Sequence, residues 1–240
     1  GRYAVPIGRY DAGTEYVSMK RQIAIDGPAG AGKSTVAKAV AQKLHMNYMD
    51  TGAMYRAVAY DLLRRNICLQ DVQAVEQAME TMNLEVIYRQ GEQRVLVDGA
   101  DVTPFIRTPE VSRGASAVGA VPAVRIKLVE LQRKTAEKYD IVMDGRDIGT
   151  YVLPSAKAKF YITASSGVRA LRRQKDLLAA GQKVDIQQLE QEIIARDKAD
   201  SEREFAPLRC AEDAIYLDTS EMDADQVIGF VCRKIEEIYG

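Results

Sequence analysis

Short apolar runs alternate with stretches of helical period along most of this chain. Gln22-Ile23-Ala24-Ile25-Asp26 is brief and apolar, as a strand covered on both faces should be. Thr35 to Leu44 then carries its apolar residues at helical spacing. Asn47-Tyr48-Met49 predicts a second strand, and Asp50-Thr51 stands at the N-cap of a helix running to about Arg65. Gln73 to Met82 and Val124 to Lys138 predict two more helices. Buried strands are expected at Tyr139–Asp144, Lys159–Thr163 and Ala214–Asp218. Helices are expected over about 167–180, capped from Ala164-Ser165-Ser166, over about 186–203 after a Gly181 turn, and over about 224–238. Five strands alternating with helices predict an α/β fold, a parallel sheet covered on both faces.

Two stretches break the alternation. Leu84–Tyr88 and Arg94–Val97 have strand character and are joined by a turn at Gly91, which predicts a hairpin. A hairpin inside an α/β alternation marks an insertion, placed at 67–121, so that 19–66 and 122–240 form the core. Residues 1–18 show neither period; Gly1-Arg2-Tyr3 recurs as Gly8-Arg9-Tyr10, and no signal-peptide core is present. They read as a disordered or vector-derived leader, with the native start at Met19.

Composition narrows the class. Of 240 residues, 47% are apolar, enough for a sizeable core. Lys plus Arg (33) nearly balance Asp plus Glu (34), which argues against a nucleic-acid binder. No apolar run approaches a membrane span. Cys68, Cys210 and Cys232 are few and scattered, which suits a reducing cytoplasm better than a disulfide framework. His45, the only histidine, falls at a helix end and reads as a capping or packing residue.

The chemistry starts between the first strand and helix. Gly27-Pro28-Ala29-Gly30-Ala31-Gly32-Lys33-Ser34 matches G-x-x-x-x-G-K-[ST] in full, in the strand–turn–helix setting the motif requires. Its backbone N–H groups and the helix N-terminus can cradle an anion. Lys33 can reach the outer phosphates of a nucleoside triphosphate, and the Ser34 hydroxyl can ligate Mg²⁺. Three further clusters fall outside carboxyl ends of strands, where parallel sheets bind ligands. They are Asp50–Arg56, Asp144–Thr150 and Arg196–Arg203. In the third, Arg196, Asp200 and Arg203 share one helix face; Arg169, Arg172 and Arg173 share another. Charged helix faces of this kind are also what solvated surfaces look like. On the residues alone, a nucleotide switch, a kinase for another acceptor and a scaffold with an inactive loop stay open. The guanine-reading N-K-x-D motif is missing, and Asp197-Lys198-Ala199-Asp200 matches it only loosely.

Asp26–Thr35, Asp50-Thr51-Gly52-Ala53-Met54-Tyr55-Arg56, Asp144-Gly145-Arg146-Asp147-Ile148-Gly149-Thr150 and Ala206-Pro207-Leu208 occur in that order. Together they resemble the bacterial cytidylate kinases, nucleoside monophosphate kinases of the P-loop kind, from about residue 20 to the C-terminus. The resemblance implies a five-stranded P-loop kinase core, with 67–121 as the monophosphate-binding insertion and about 167–205 as a helical lid. It implies a cytoplasmic monomer that uses ATP with Mg²⁺ to phosphorylate CMP or dCMP. Arg56, Arg146 and Arg203 are the implied ligands of the monophosphate. Ser116, Arg125 and Asp147 are the implied readers of cytosine, and Arg196 and Asp200 the implied sugar contacts. Thr51 joins the acceptor set. Lys33, Arg146, Arg172 and Arg203 are the implied catalytic residues, with Arg172 in the lid over ATP. Ala29 departs from relatives that carry Ser there, so one hydroxyl contact to the acceptor phosphate is missing.

Overall fold

Following the chain, β1 (Gln22–Asp26) leads into α1 (Lys33–Lys43), β2 (Asn47–Asp50) and α2 (Thr51–Arg64). Next come α3 (Val72–Thr81), β3 (Leu84–Arg89), β4 (Glu92–Val97), β5 (Ala100–Asp101) and α4 (Pro109–Gly119). The chain closes with α5 (Pro122–Lys138), β6 (Ile141–Gly145), β7 (Ala158–Thr163), α6 (Ser166–Ala179), α7 (Ile186–Glu202), β8 (Ile215–Asp218) and α8 (Ala224–Tyr239). This is a computed structural model and describes residues 19–240; the expected leader, 1–18, lies outside the described residues.

The expected five-stranded parallel sheet is present, in the order β2-β6-β1-β7-β8. Alternate residues of β1, β2 and β6 feed two cores, while β7 and β8 supply apolar residues to one of them. Ile23, Ile25 and Phe160 face α1 and α8 through Val36, Val40, Val227 and Val231. Ala24, Met49 and Met143 face the other way, toward Met54, Val58 and Leu128 of α2 and α5. The register matters for function. Asp26 lies opposite Gly145 and Asp50 opposite Asp144, so the loops after β1, β2 and β6 open along one edge.

Element ends follow local chemistry. Asp50 caps α2 by accepting from the Ala53 N–H, and Ser165 caps α6 by accepting from Val168. α5 starts at Pro122, two residues before the expected Val124, because proline is well suited to the first helical position. His45 follows the C-cap Leu44 of α1 with φ 55, the left-handed position of a helix end.

Between α2 and α5 the chain builds more than the expected hairpin. β3, β4 and the two-residue β5 form a separate antiparallel sheet, and α4 is a full helix the pattern did not announce. α4 lies tight on α2: a Cβ on Gly114 would come within 2.9 Å of Leu69 Cδ1 and 3.1 Å of Ala59 Cβ. Val75, Val95, Val97 and Val118 join the same core as Met54 and Leu128, so this stretch shares its interior with the face of the sheet that packs on α2 and α5. α6 and α7 enclose a small core of their own, Ala170, Leu189 and Ile193.

Candidate active site

The phosphate loop is shaped by its glycines. Gly30 and Gly32 hold φ of 74 and 82, which L side chains resist. A Cβ on Gly27 would lie 1.9 Å from the Ile162 carbonyl oxygen, so only glycine lets the loop pass the end of β7. Gly32 is the N-cap of α1 and offers no side chain to its first-turn N–H groups. Those donors, with the helix dipole, make an anion cradle. Lys33 is buried and donates to the Pro28 carbonyl at 3.0 Å. Burial, with the Arg146 cation beside it, pushes its ammonium down to about 7, even though Asp144, Asp26 and Asp200 pull the other way. A triphosphate is the kind of neighbour that would restore its charge.

Beside the cradle stands a carboxylate that the sequence reading left without a role. Ser34 Oγ donates to Asp144 Oδ2 at 2.9 Å and Tyr48 donates to Oδ1 at 2.9 Å. Burial and the nearby Asp50 raise the Asp144 carboxyl to about 6. Asp26 is also buried; it accepts from the Ile148 and Gly149 N–H groups at 2.9 and 2.8 Å. It thereby fixes the turn that presents Arg146 and Asp147.

Asp200 is the hub of the acceptor side. It is 2% exposed, and three arginines converge on it: Arg146 Nε at 3.0 Å, Arg196 Nε at 3.1 Å and Arg203 Nη1 at 3.7 Å. Burial alone would raise its pKa, but these cations hold it below the usual carboxylate range. Burial and the neighbouring Arg125 lower Arg203 to about 10. Arg203 is steadied by donating to the Ala206 carbonyl at 2.9 Å, with Ala206 at φ 47. The Ala206-Pro207-Leu208 stretch thus shapes the arginine cluster.

Arg125 and Asp147 form a second pair, 3% and 2% exposed. Arg125 Nη2 is 3.0 Å from Asp147 Oδ2 but out of line for a hydrogen bond, so that oxygen keeps a free acceptor site. Arg125 also donates to the Gly119 carbonyl of α4 at 2.8 Å and stacks 4.6 Å over the Tyr55 ring. Ser116 is half-buried on α4, one turn before Gly119. Buried polar atoms without partners gather around this corner: Arg125 Nε, Arg203 Nη2, Asp147 Oδ2, the Tyr55 hydroxyl and Gln132 Oε1, with Arg56 Nε another beside Asp50. Folded proteins seldom leave such atoms unmatched.

Arg56 is held by Asp50, Nη2 to Oδ2 at 3.2 Å. Arg107, which the sequence reading missed, reaches the same oxygen at 2.9 Å. Thr51 Oγ1 is already committed, donating to the Asp144 carbonyl at 2.7 Å. Arg172 is not brought to the phosphate loop: it donates to Thr219 Oγ1 and to the Thr219 and Met222 carbonyls, after β8. Its neighbour Arg169 is the one that touches the loop, donating to the Ala29 carbonyl at 2.9 Å.

The family model for cytidylate kinase matches residues 23–237. The chain belongs to the cytidylate kinase family. A cytidylate kinase from Ligilactobacillus salivarius (strain UCC118) is 49% identical over 218 residues, covering 91% of this chain and 97% of that protein. One from Desulforamulus reducens (strain ATCC BAA-1160 / DSM 100696 / MI-1) is 52% identical over 216 residues, covering 90% and 96%. One from Exiguobacterium sp. (strain ATCC BAA-1283 / AT1b) is 50% identical over 217 residues, covering 90% and 97%. Among solved structures, a shikimate kinase from Bacteroides thetaiotaomicron aligns over 91% of this chain and 98% of its own, at 13% identity and a TM-score of 0.44, too distant to add to the assignment. Membership in the cytidylate kinase family makes the chain an ATP-dependent nucleoside monophosphate kinase. Among the described residues, no helix is long and apolar enough to cross a membrane.

Proposed function

We propose that the chain transfers the γ-phosphoryl group of ATP to CMP or dCMP, giving ADP and CDP or dCDP. The observation that carries the acceptor assignment is the free, buried oxygen of Asp147 beside Arg125, next to the arginine cluster on Asp200. Cytosine presents an amino donor that suits a carboxylate, and its ring acceptors suit a guanidinium. Arg56, Arg146 and Arg203 take the monophosphate, Arg196 and Asp200 the sugar, and Ser116 supports the base. A deoxyribose loses only the 2′ contact, so dCMP remains a substrate.

An oxygen of the acceptor phosphate attacks the γ-phosphorus while the bond to the ADP oxygen breaks. That oxygen is ionised near pH 7, so no side chain must remove a proton. The chain's task is positioning and charge stabilisation. Residues 27–35 hold the triphosphate, Lys33 reaches its outer phosphates, and Arg146 lies near enough to Lys33 to depress its pKa. Arg172 serves the ATP side once its bonds to the loop after β8 are exchanged. The oxygen donors of Ser34 and Asp144, 2.9 Å apart, fit a hard divalent cation. Bound Mg²⁺ supplies neutralisation of phosphate charge.

An ADP-release assay with CMP, dCMP, UMP and AMP tests the reading. CMP and dCMP turn over well, UMP on the order of a hundredfold less efficiently, and AMP least. AMP or UMP matching CMP would overturn it.

A further inference from the structure

The lid takes hold of both backbone polar groups of Ala29 in the phosphate loop. Asp197 Oδ1 on α7 accepts from the Ala29 N–H at 3.1 Å. Arg169 Nη1 on α6 donates to the Ala29 carbonyl at 2.9 Å and pairs with Asp197 Oδ2 at 2.5 Å. Arg169 Nε is anchored in turn on the Ala164 carbonyl, 2.9 Å away at the end of β7. The loop packs closely here: a Cβ on Gly30 would meet Arg169 Cβ at 3.5 Å and Ile193 Cδ1 at 3.7 Å. Arg169 is buried, and neither residue belongs to the nucleotide-binding set assigned above.

Asp197 follows Arg196 directly on α7 and precedes Asp200 by less than one turn. The helix that carries the sugar contacts is therefore the helix that grips the phosphate loop. α6 and α7 share their own small core and so can shift as one body. Charge-assisted bonds in a partly buried setting are strong enough to transmit such a shift. We propose that Asp197 and Arg169 are positioning residues, a latch that couples the acceptor site to the triphosphate site. Placing α7 over the monophosphate sets Ala29, so the second substrate meets a loop already ordered and binds more tightly. This rests on the acceptor assignment above.

Calorimetric titration of the protein with a non-hydrolysable ATP analogue and Mg²⁺, with and without saturating CMP, measures the coupling. In the wild type, CMP tightens analogue binding by about fivefold or more. In Asp197→Ala the factor falls below about twofold, while each ligand's own Kd moves less than about threefold, as loss of coupling alone requires. Asp197→Asn keeps the volume and one acceptor oxygen but not the charge facing Arg169; its factor falls below about threefold, and it decides the matter if the alanine variant does not fold. A wild type without coupling, or variants that keep it, overturns the latch. If CMP alone fails to bind the wild type, the acceptor assignment falls first and the latch with it.

Discussion

Replacing Asp147 by Asn tests how the base is read. Asp147 is 2% exposed, and its Oδ2 has no hydrogen bond in spite of Arg125 at 3.0 Å. A cytosine amino group donating to that carboxylate makes a charge-assisted bond of about 1.5–3 kcal/mol. Uracil presents a carbonyl oxygen at the same point, lone pair against lone pair, and leaves the carboxylate unmatched at a further cost of about 1–3 kcal/mol. The discrimination is then roughly 2.5 kcal/mol at the low end, on the order of a hundredfold in kcat/KM. Asparagine can turn either its oxygen or its amide toward the base, so both pyrimidines find a partner. The expected signature is a CMP-to-UMP ratio of kcat/KM that collapses to within about fivefold, with the CMP value falling most. Asn also leaves Arg125 without its counter-charge, which lowers activity with both substrates. Steady-state kinetics with each acceptor, at saturating ATP, separates the two effects. Equal losses for CMP and UMP, with the ratio unchanged, would refute this account of base reading.

Two further outcomes follow from the buried carboxylates. Asp200→Ala strands Arg146, Arg196 and Arg203 without a counter-charge. It should lower unfolding free energy in urea by about 3–5 kcal/mol, with sulfate or phosphate partly restoring it; an unchanged midpoint would mean that the cluster is already solvated. Burial raises the Asp26 carboxyl from 3.8 to about 7, despite the Gly149 and Ile148 N–H groups that favour its charge. The folded state thus holds this proton more tightly than the unfolded chain. Its contribution to stability is full below pH 3.8, is lost as pH climbs through about 7, and stays lost above. The stability of the wild type minus that of Asp26→Asn should therefore fall by roughly 2 kcal/mol between pH 5 and pH 7. A pH-independent difference would contradict it.

The sequence made the sheet and the phosphate loop legible because both are local. Ile23 to Ile25 and Ile141 to Met143 are apolar on both faces, and the loop's glycines and Lys33 stand at fixed spacing. α4 escaped because Ser112, Gly114, Ser116 and Gly119 have weak helix propensity; its helix is held by packing on α2, with Gly114 close to Ala59 and Leu69. Arg196, Asp200 and Arg203 were visible as a charged face, but nothing local distinguished it from a solvated one. Only the fold buries Asp200 and brings Arg146, just after β6, onto it. Arg107 was missed for the same reason, and Asp26, Arg169 and Asp197 were named without the roles the fold gives them. Their partners lie far away in sequence, as with Ala29 and Asp197, 168 residues apart. Asp50 was read as a helix cap, and it is one; that it also holds Arg56 and Arg107 could not be seen from spacing.

The central claim is that a triphosphate in the loop after β1 faces a pyrimidine monophosphate among arginines, in one cleft. Adenosine and cytidine joined through five phosphates would span that cleft. Its inhibition pattern is the most direct measurement: the account predicts competition with both ATP and CMP, and tighter binding than either nucleotide alone. Competition with ATP only, leaving CMP binding untouched, would contradict it.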